Sequence, residues 1–145
     1  MKTRREFLVT ACKACGIVGT AGLISSILPS CKSLQVVSAN ANEQNELLVP
    51  LFKFMDTSQV IVRSRKIEFD ILVVKKGEGR FRALLMKCTH ESQPLTASGS
   101  SIYCASHGSK FDLDGKVVLS PATRNLQSYP TRVVGENVIV SLAKA

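Results

Sequence analysis

Cys88-Thr89-His90 and Cys104-Ala105-Ser106-His107, with thirteen residues between them, decide how this chain reads. Each is a cysteine followed within three positions by a histidine, so each can ride on its own loop and present one thiolate and one imidazole. Two such pairs can close around metal. They hold the only two histidines among 145 residues, and no other cysteines follow position 31. Zinc takes Cys and His in tetrahedral array and iron centres take them too, so the spacing by itself leaves the two metals in competition.

The flanking residues decide between them. His90 is followed by Glu91-Ser92-Gln93-Pro94-Leu95, and His107 by Gly108-Ser109, then Phe111-Asp112, Gly115 and Ser120-Pro121-Ala122. In this order, across roughly residues 81–130, the chain resembles the Rieske iron–sulfur family, including the loop around Pro121 that covers the cluster. The resemblance implies a [2Fe-2S] cluster, with Cys88 and Cys104 on the inner iron and His90 and His107 on the outer one. Two thiolates cancel the charge of the oxidised core, and neutral imidazoles add none, so reduction leaves a single net negative charge. An all-cysteine site would carry two more negatives and resist the electron. Hence the range of about −150 to +300 mV for the His-ligated type.

The same resemblance assigns tuning roles. Ser109, next to Gly108, stands where a hydroxyl bonds a bridging sulfide in high-potential relatives, and Phe111 stands where those relatives carry tyrosine. Gln93 and Ser106 occupy the positions of the family's paired loop cysteines, so that disulfide is absent. One tuning contact kept and one lost implies a potential below that of quinol-oxidising relatives carrying both hydroxyls. Outward-facing imidazole N–H groups imply a potential that depends on pH in the alkaline range, and a hydrogen-bonding point for a quinol or a docking partner.

The N-terminus reads as an export segment. Arg4-Arg5-Glu6-Phe7-Leu8 is a basic region with adjacent arginines, followed by an apolar stretch from Ala14 to Leu28 containing Gly16, Gly19 and Gly22. This is shorter than the ~20 residues of a comfortable membrane span, and it resembles a twin-arginine signal, which exports proteins already folded around a cofactor. Leu28-Pro29-Ser30-Cys31 resembles a bacterial lipobox ending at Cys31, the expected lipidation site; the alternative is an uncleaved anchor with Cys31 incidental. Either arrangement tethers the chain to a membrane. Cys12-Lys13-Ala14-Cys15 has C-x-x-C spacing but lies inside the export segment, so no redox role is assigned to it.

Three regions follow: a signal over 1–30, a polar tether over 31–46 rich in Ser, Asn and Gln, and a domain over 47–145. A flexible tether of about fifteen residues spans roughly 20 Å; the competing reading is an ordered strand beginning near Leu34-Gln35-Val36-Val37. Beyond Glu46 the pattern is short β-rich runs broken by turns: Leu47–Val49, Val60–Val62, Phe69–Val74, Phe81–Met86, Ile102-Tyr103, Val117–Leu119, and a closing hairpin of Arg132–Val134 with Val138–Leu142. That predicts an all-β fold, a small antiparallel sandwich of the Rieske type with an inserted cluster-binding subdomain.

The formal net charge is +8, of which the first thirty residues account for +3, leaving +5 for a processed chain. This favours acidic partners or anionic headgroups, while no basic, aromatic-interleaved stripe points to nucleic acid. An oxygenase needs a mononuclear iron on two histidines and a carboxylate. Both histidines are committed to the cluster, so this chain builds no oxygenase site. The expected role is a membrane-tethered one-electron carrier at the outer, periplasm-facing side of the membrane. It would serve redox proteins such as a cytochrome or a quinol oxidoreductase, with a quinol-oxidising subunit of a cytochrome bc-type complex and a structural metal-binding lipoprotein as the alternatives.

Overall fold

The computed structural model describes residues 33–143. The readings made on the export segment, on Cys12 and Cys15 and on Cys31 lie outside the described residues.

Twelve strands and one short 3-10 turn make up the described chain: β1 (Gln35–Ser38), β2 (Glu46–Pro50), the turn Leu51–Phe54, β3 (Gln59–Arg63), β4 (Ile71–Gly77), β5 (Arg80–Leu85), β6 (Thr96–Ser98), β7 (Ser101–Tyr103), β8 (Lys110–Asp112), β9 (Val117–Leu119), β10 (Ser128–Tyr129), β11 (Thr131–Val134) and β12 (Asn137–Ser141). They form a five-stranded sheet β1-β3-β4-β5-β10, a three-stranded sheet β11-β12-β2 and a four-stranded sheet β6-β7-β8-β9. The fold is all-β, as expected, and every pairing is antiparallel except β1 with β3.

The five-stranded sheet is buried on both faces, which explains why Ile71-Leu72-Val73-Val74 of β4 reads as an unbroken apolar run with all four residues buried. Successive side chains alternate between faces. The row Val60–Val73–Ala83–Tyr129 packs in one core with Leu47, Val49, Val138 and Val140 of the three-stranded sheet. The opposite row, Ile61–Leu72–Leu84, packs in a second core with Ile102 and Phe111 of the four-stranded sheet and with Cys88 and Cys104. The central sheet thus shares its second core with both candidate thiols.

One boundary is corrected. The stretch expected as a flexible tether contains β1, whose residues pair with β3 from Gln35↔Val60 to Ser38↔Arg63, and Ala39 beyond it is buried. The β-branched pair Val36-Val37 and the free edge of β3 supply the reason: the polar residues around them hid a short edge strand. Among the described residues the first strand is therefore β1, where the competing reading put a strand, and it precedes Leu47. The apolar runs Phe69–Val74 and Phe81–Met86 leave residues 75–80 between them, but β4 runs on to Gly77 and β5 starts at Arg80, so only Glu78 and Gly79 separate the strands.

Candidate metal centre

Two loops, 88–93 and 104–109, are built on one plan. In the first, the Cys88 N–H donates to the Gln93 carbonyl (2.8 Å) and the Ser92 N–H donates to the Cys88 carbonyl (2.9 Å). In the second, the Cys104 N–H donates to the Ser109 carbonyl (2.9 Å) and the Gly108 N–H to the Cys104 carbonyl (3.0 Å). Each cysteine is thus clamped through both backbone groups to a residue four or five positions on. The fourth position after each cysteine is left-handed, with φ +55° at Ser92 and +79° at Gly108. Glycine meets that demand freely at 108, whereas Ser92 meets it at a steric cost. The histidine falls two residues after the cysteine in one loop and three in the other, so the match is of backbone, not of sequence.

The turns place the thiols inward and the imidazoles outward. Cys88 and Cys104 are buried, each 2% exposed, and neither is in a disulfide. His90 and His107 are exposed, with ring centroids 5.1 Å apart and planes near perpendicular. Burial pushes the Cys104 thiol up. The backbone of Ser106, the Cys88 side chain, the backbone of His107 and the Ser106 side chain outweigh it, so the thiol is held below its usual range. Converging backbone donors of this kind favour the deprotonated form that binds metal.

A third segment closes over the second loop. Ser109 is fully buried, and its Oγ accepts the Ala122 N–H at 3.0 Å, which fixes the Ser120–Ala122 stretch containing Pro121. With its oxygen so engaged, the hydroxyl keeps its own proton to donate. Thr89 Oγ1 donates to the Arg124 carbonyl at 2.6 Å and ties the first loop to the same segment. Phe111 is fully buried in the core behind the thiols. Gly115, at φ +82°, has no room for a side chain: a Cβ there would stand 2.8 Å from Leu84 Cδ2 and 3.3 Å from Leu126 Cβ.

Every described residue singled out in the sequence as a site residue lies in these three segments or directly behind them. Glu91 was not given a role by the sequence reading, yet its carboxylate stands 3.6 Å from His107 Nδ1, and it groups with both histidines within 4.8 Å. Its position beside His90 was the available signal. The left-handed backbone at Ser92 had none, because serine does not mark that conformation.

The donor set fits a [2Fe-2S] group by its chemistry. Two buried thiols suit the charged, desolvated side of a cluster, two exposed imidazoles the outer side, and a buried hydroxyl with a spare proton suits a sulfide. The comparisons point the same way. The Rieske [2Fe-2S] domain model matches residues 49–130. The cytochrome b6-f complex iron-sulfur subunit of Chlorobaculum thiosulfatiphilum is 29% identical over 97% of this chain and 76% of its own length. The ferredoxin component of the naphthalene 1,2-dioxygenase system of Pseudomonas aeruginosa is 28% identical over 53% of this chain and 78% of its own. Among solved structures, the cyanobacterial plasma membrane Rieske protein PetC3 of Synechocystis PCC 6803 superposes with a TM-score of 0.51 at 30% identity, covering 58% of this chain and 86% of that one. The chain belongs to the Rieske [2Fe-2S] domain family. Its cofactor is a [2Fe-2S] cluster and its chemistry is electron transfer to and from redox partners.

Proposed function

We propose that this chain is a membrane-tethered one-electron carrier in which Cys88 and Cys104 hold one iron and His90 and His107 the other. The observation that carries the assignment is the paired-loop geometry: one hydrogen-bond plan used twice, with both thiols turned inward and both imidazoles outward. When bound, the cluster supplies reversible one-electron chemistry.

The residues of the chain do the rest. The buried thiols and the hydrophobic core behind them exclude water from the inner side. The buried Ser109 hydroxyl would supply a hydrogen bond to the bound cluster, and the Pro121 segment, pinned to Ser109 through the Ala122 N–H, would shield that side. The exposed rings of His90 and His107 are the shortest route by which a partner comes within electron-transfer range. Cys31 is the lipidation site and residues 1–30 the twin-arginine-like signal in this reading, which puts the domain on the outer, periplasmic side of a membrane; the lipobox at Leu28–Cys31 supports it.

Iron and acid-labile sulfide in purified variants test the ligands. Cys88→Ser and Cys104→Ser are expected to lose both; a variant that keeps two irons overturns the assignment. The mass of the mature N-terminus and the release of a Cys31→Ser variant from membranes test the anchor. A second reading, the quinol-oxidising subunit of a cytochrome bc-type complex, is favoured by the similarity to the b6-f subunit along nearly the whole chain.

A further inference from the structure

A cleft of about 380 Å³ opens beside His90, lined by Lys87, Thr89, His90, Arg124, Asn125 and Gln127 together with the backs of Leu85, Cys88 and Ser92. No acidic residue lines it. Two cations do, and among the described residues neither Lys87 nor Arg124 takes part in an ion pair. The nearest carboxylate in sequence, Glu91, is turned to His107 instead. The contacts these two residues make leave their charges unneutralised. The Lys87 ammonium lies 5.1 Å from the centroid of the Phe69 ring, and the Arg124 backbone is held by the Thr89 hydroxyl. Arg63, Lys76 and Arg132 are neutralised by Asp70, Asp114 and Glu46, while other basic residues, Lys75 and Arg80 among them, form no ion pair among the described residues; what sets the cleft apart is that both its cations stand beside His90 with no acid in the lining. Leaving two uncompensated beside an exposed cluster-side imidazole produces a local positive field that an acidic group answers.

The topology says from which side the group comes. β1 begins beside Val60, which faces Val73, so the chain enters the central sheet at the end that carries the Glu78-Gly79 turn. The first cluster loop leaves β5 at the other end, where Leu85 faces Ile71. The cleft and the point of chain attachment therefore lie at opposite ends of the sheet.

We propose that the Lys87–Arg124 cleft beside His90 seats acidic side chains of a water-soluble redox protein, which docks at the end of the central sheet opposite the one where β1 enters. This rests on the electron-transfer reading and deepens it by naming the partner's chemistry. Charge pairs at the rim of such a contact act chiefly on the association rate and its salt dependence.

The test is stopped-flow oxidation of the reduced, cluster-loaded full chain at low ionic strength, with two soluble acceptors of opposite charge: an acidic cupredoxin and a basic cytochrome c. A Lys87→Gln/Arg124→Gln double variant is expected to slow the second-order reaction with the acidic cupredoxin at least fivefold. The wild-type rate should fall with salt, the reaction with the basic cytochrome should not slow, and the midpoint potential should hold. Lys75→Gln/Arg80→Gln removes the same net charge from the opposite end and is expected to change the acidic reaction by less than twofold. Equal slowing by both double variants, or slowing by neither, overturns the cleft. A chain that accepts no electron at all overturns the electron-transfer reading as well, so the two failures are distinguishable.

Discussion

At the residue scale, Ser109 and Phe111 carry the tuning of the site. Ser109 is buried with its oxygen accepting from Ala122, so Ser109→Ala removes a donor to the cluster and also orphans a buried N–H. The expected result is a lower midpoint potential, by ~60 mV for one hydrogen bond of about 1.4 kcal/mol at one electron, together with about 1–3 kcal/mol of lost stability. Phe111→Tyr is expected to raise the potential by a similar amount, as read by potentiometric titration; an unchanged value would show that the new hydroxyl does not reach a sulfur. The Cys/His spacing and these two neighbours were legible because their chemistry is written in residue type. The φ of +55° at Ser92 was not, because only the closed loop imposes it. Ser92→Gly is therefore expected to be tolerated, while Ser92→Val costs about 1–2 kcal/mol, a bulky branched residue being an outlier there. Chemical denaturation of the two variants distinguishes them, and equal stabilities would contradict the shared loop plan.

At the scale of elements, the site is a matter of anchoring. The turn after β8 is locked by Gly115, whose Cα faces Leu84 of β5, and this joins the cluster-binding sheet to the central one. Gly115→Ala combines a strained φ with an overpacked contact and is expected to cost about 2–5 kcal/mol, seen as a lowered denaturant midpoint of the cluster-loaded protein. The long strands β3, β4 and β5 and the hairpin β11–β12 were legible from short apolar runs, rich in β-branched residues in all but β5. The strands β6, β8 and β10, of two or three residues, were not, because they exist only by pairing with neighbours already in place. β1 was legible only as the competing reading near Leu34–Val37, because its four residues lie among Ser, Asn and Gln and pair with the edge of β3.

At the scale of the whole molecule, ion pairs fasten the outer parts of the fold. Arg132 of β11 reaches across β12 to Glu46 of β2 with two hydrogen bonds, 2.7 and 3.0 Å, and this holds the Glu46 carboxyl below its ordinary value of 4.5. Asp114 is lowered likewise, chiefly by Lys76. A carboxyl whose folded pKa is depressed stabilises the fold fully above its unfolded pKa, and the contribution is lost as pH falls through the folded value. Stability is therefore expected to decline below about pH 4.5, and Glu46→Gln should flatten that decline. An identical pH profile in urea denaturation of the variant and the wild type would contradict the role of the pair.

The central claim is a cluster held by two cysteines and two histidines on paired loops. Its most direct test is electron paramagnetic resonance of the reduced, cluster-loaded full chain, beside His90→Cys and His107→Cys variants. The expected result is the low average g-value of a His-ligated [2Fe-2S] centre in the wild type and its loss in either variant. A silent, zinc-loaded protein, or a spectrum unchanged by both substitutions, would contradict it.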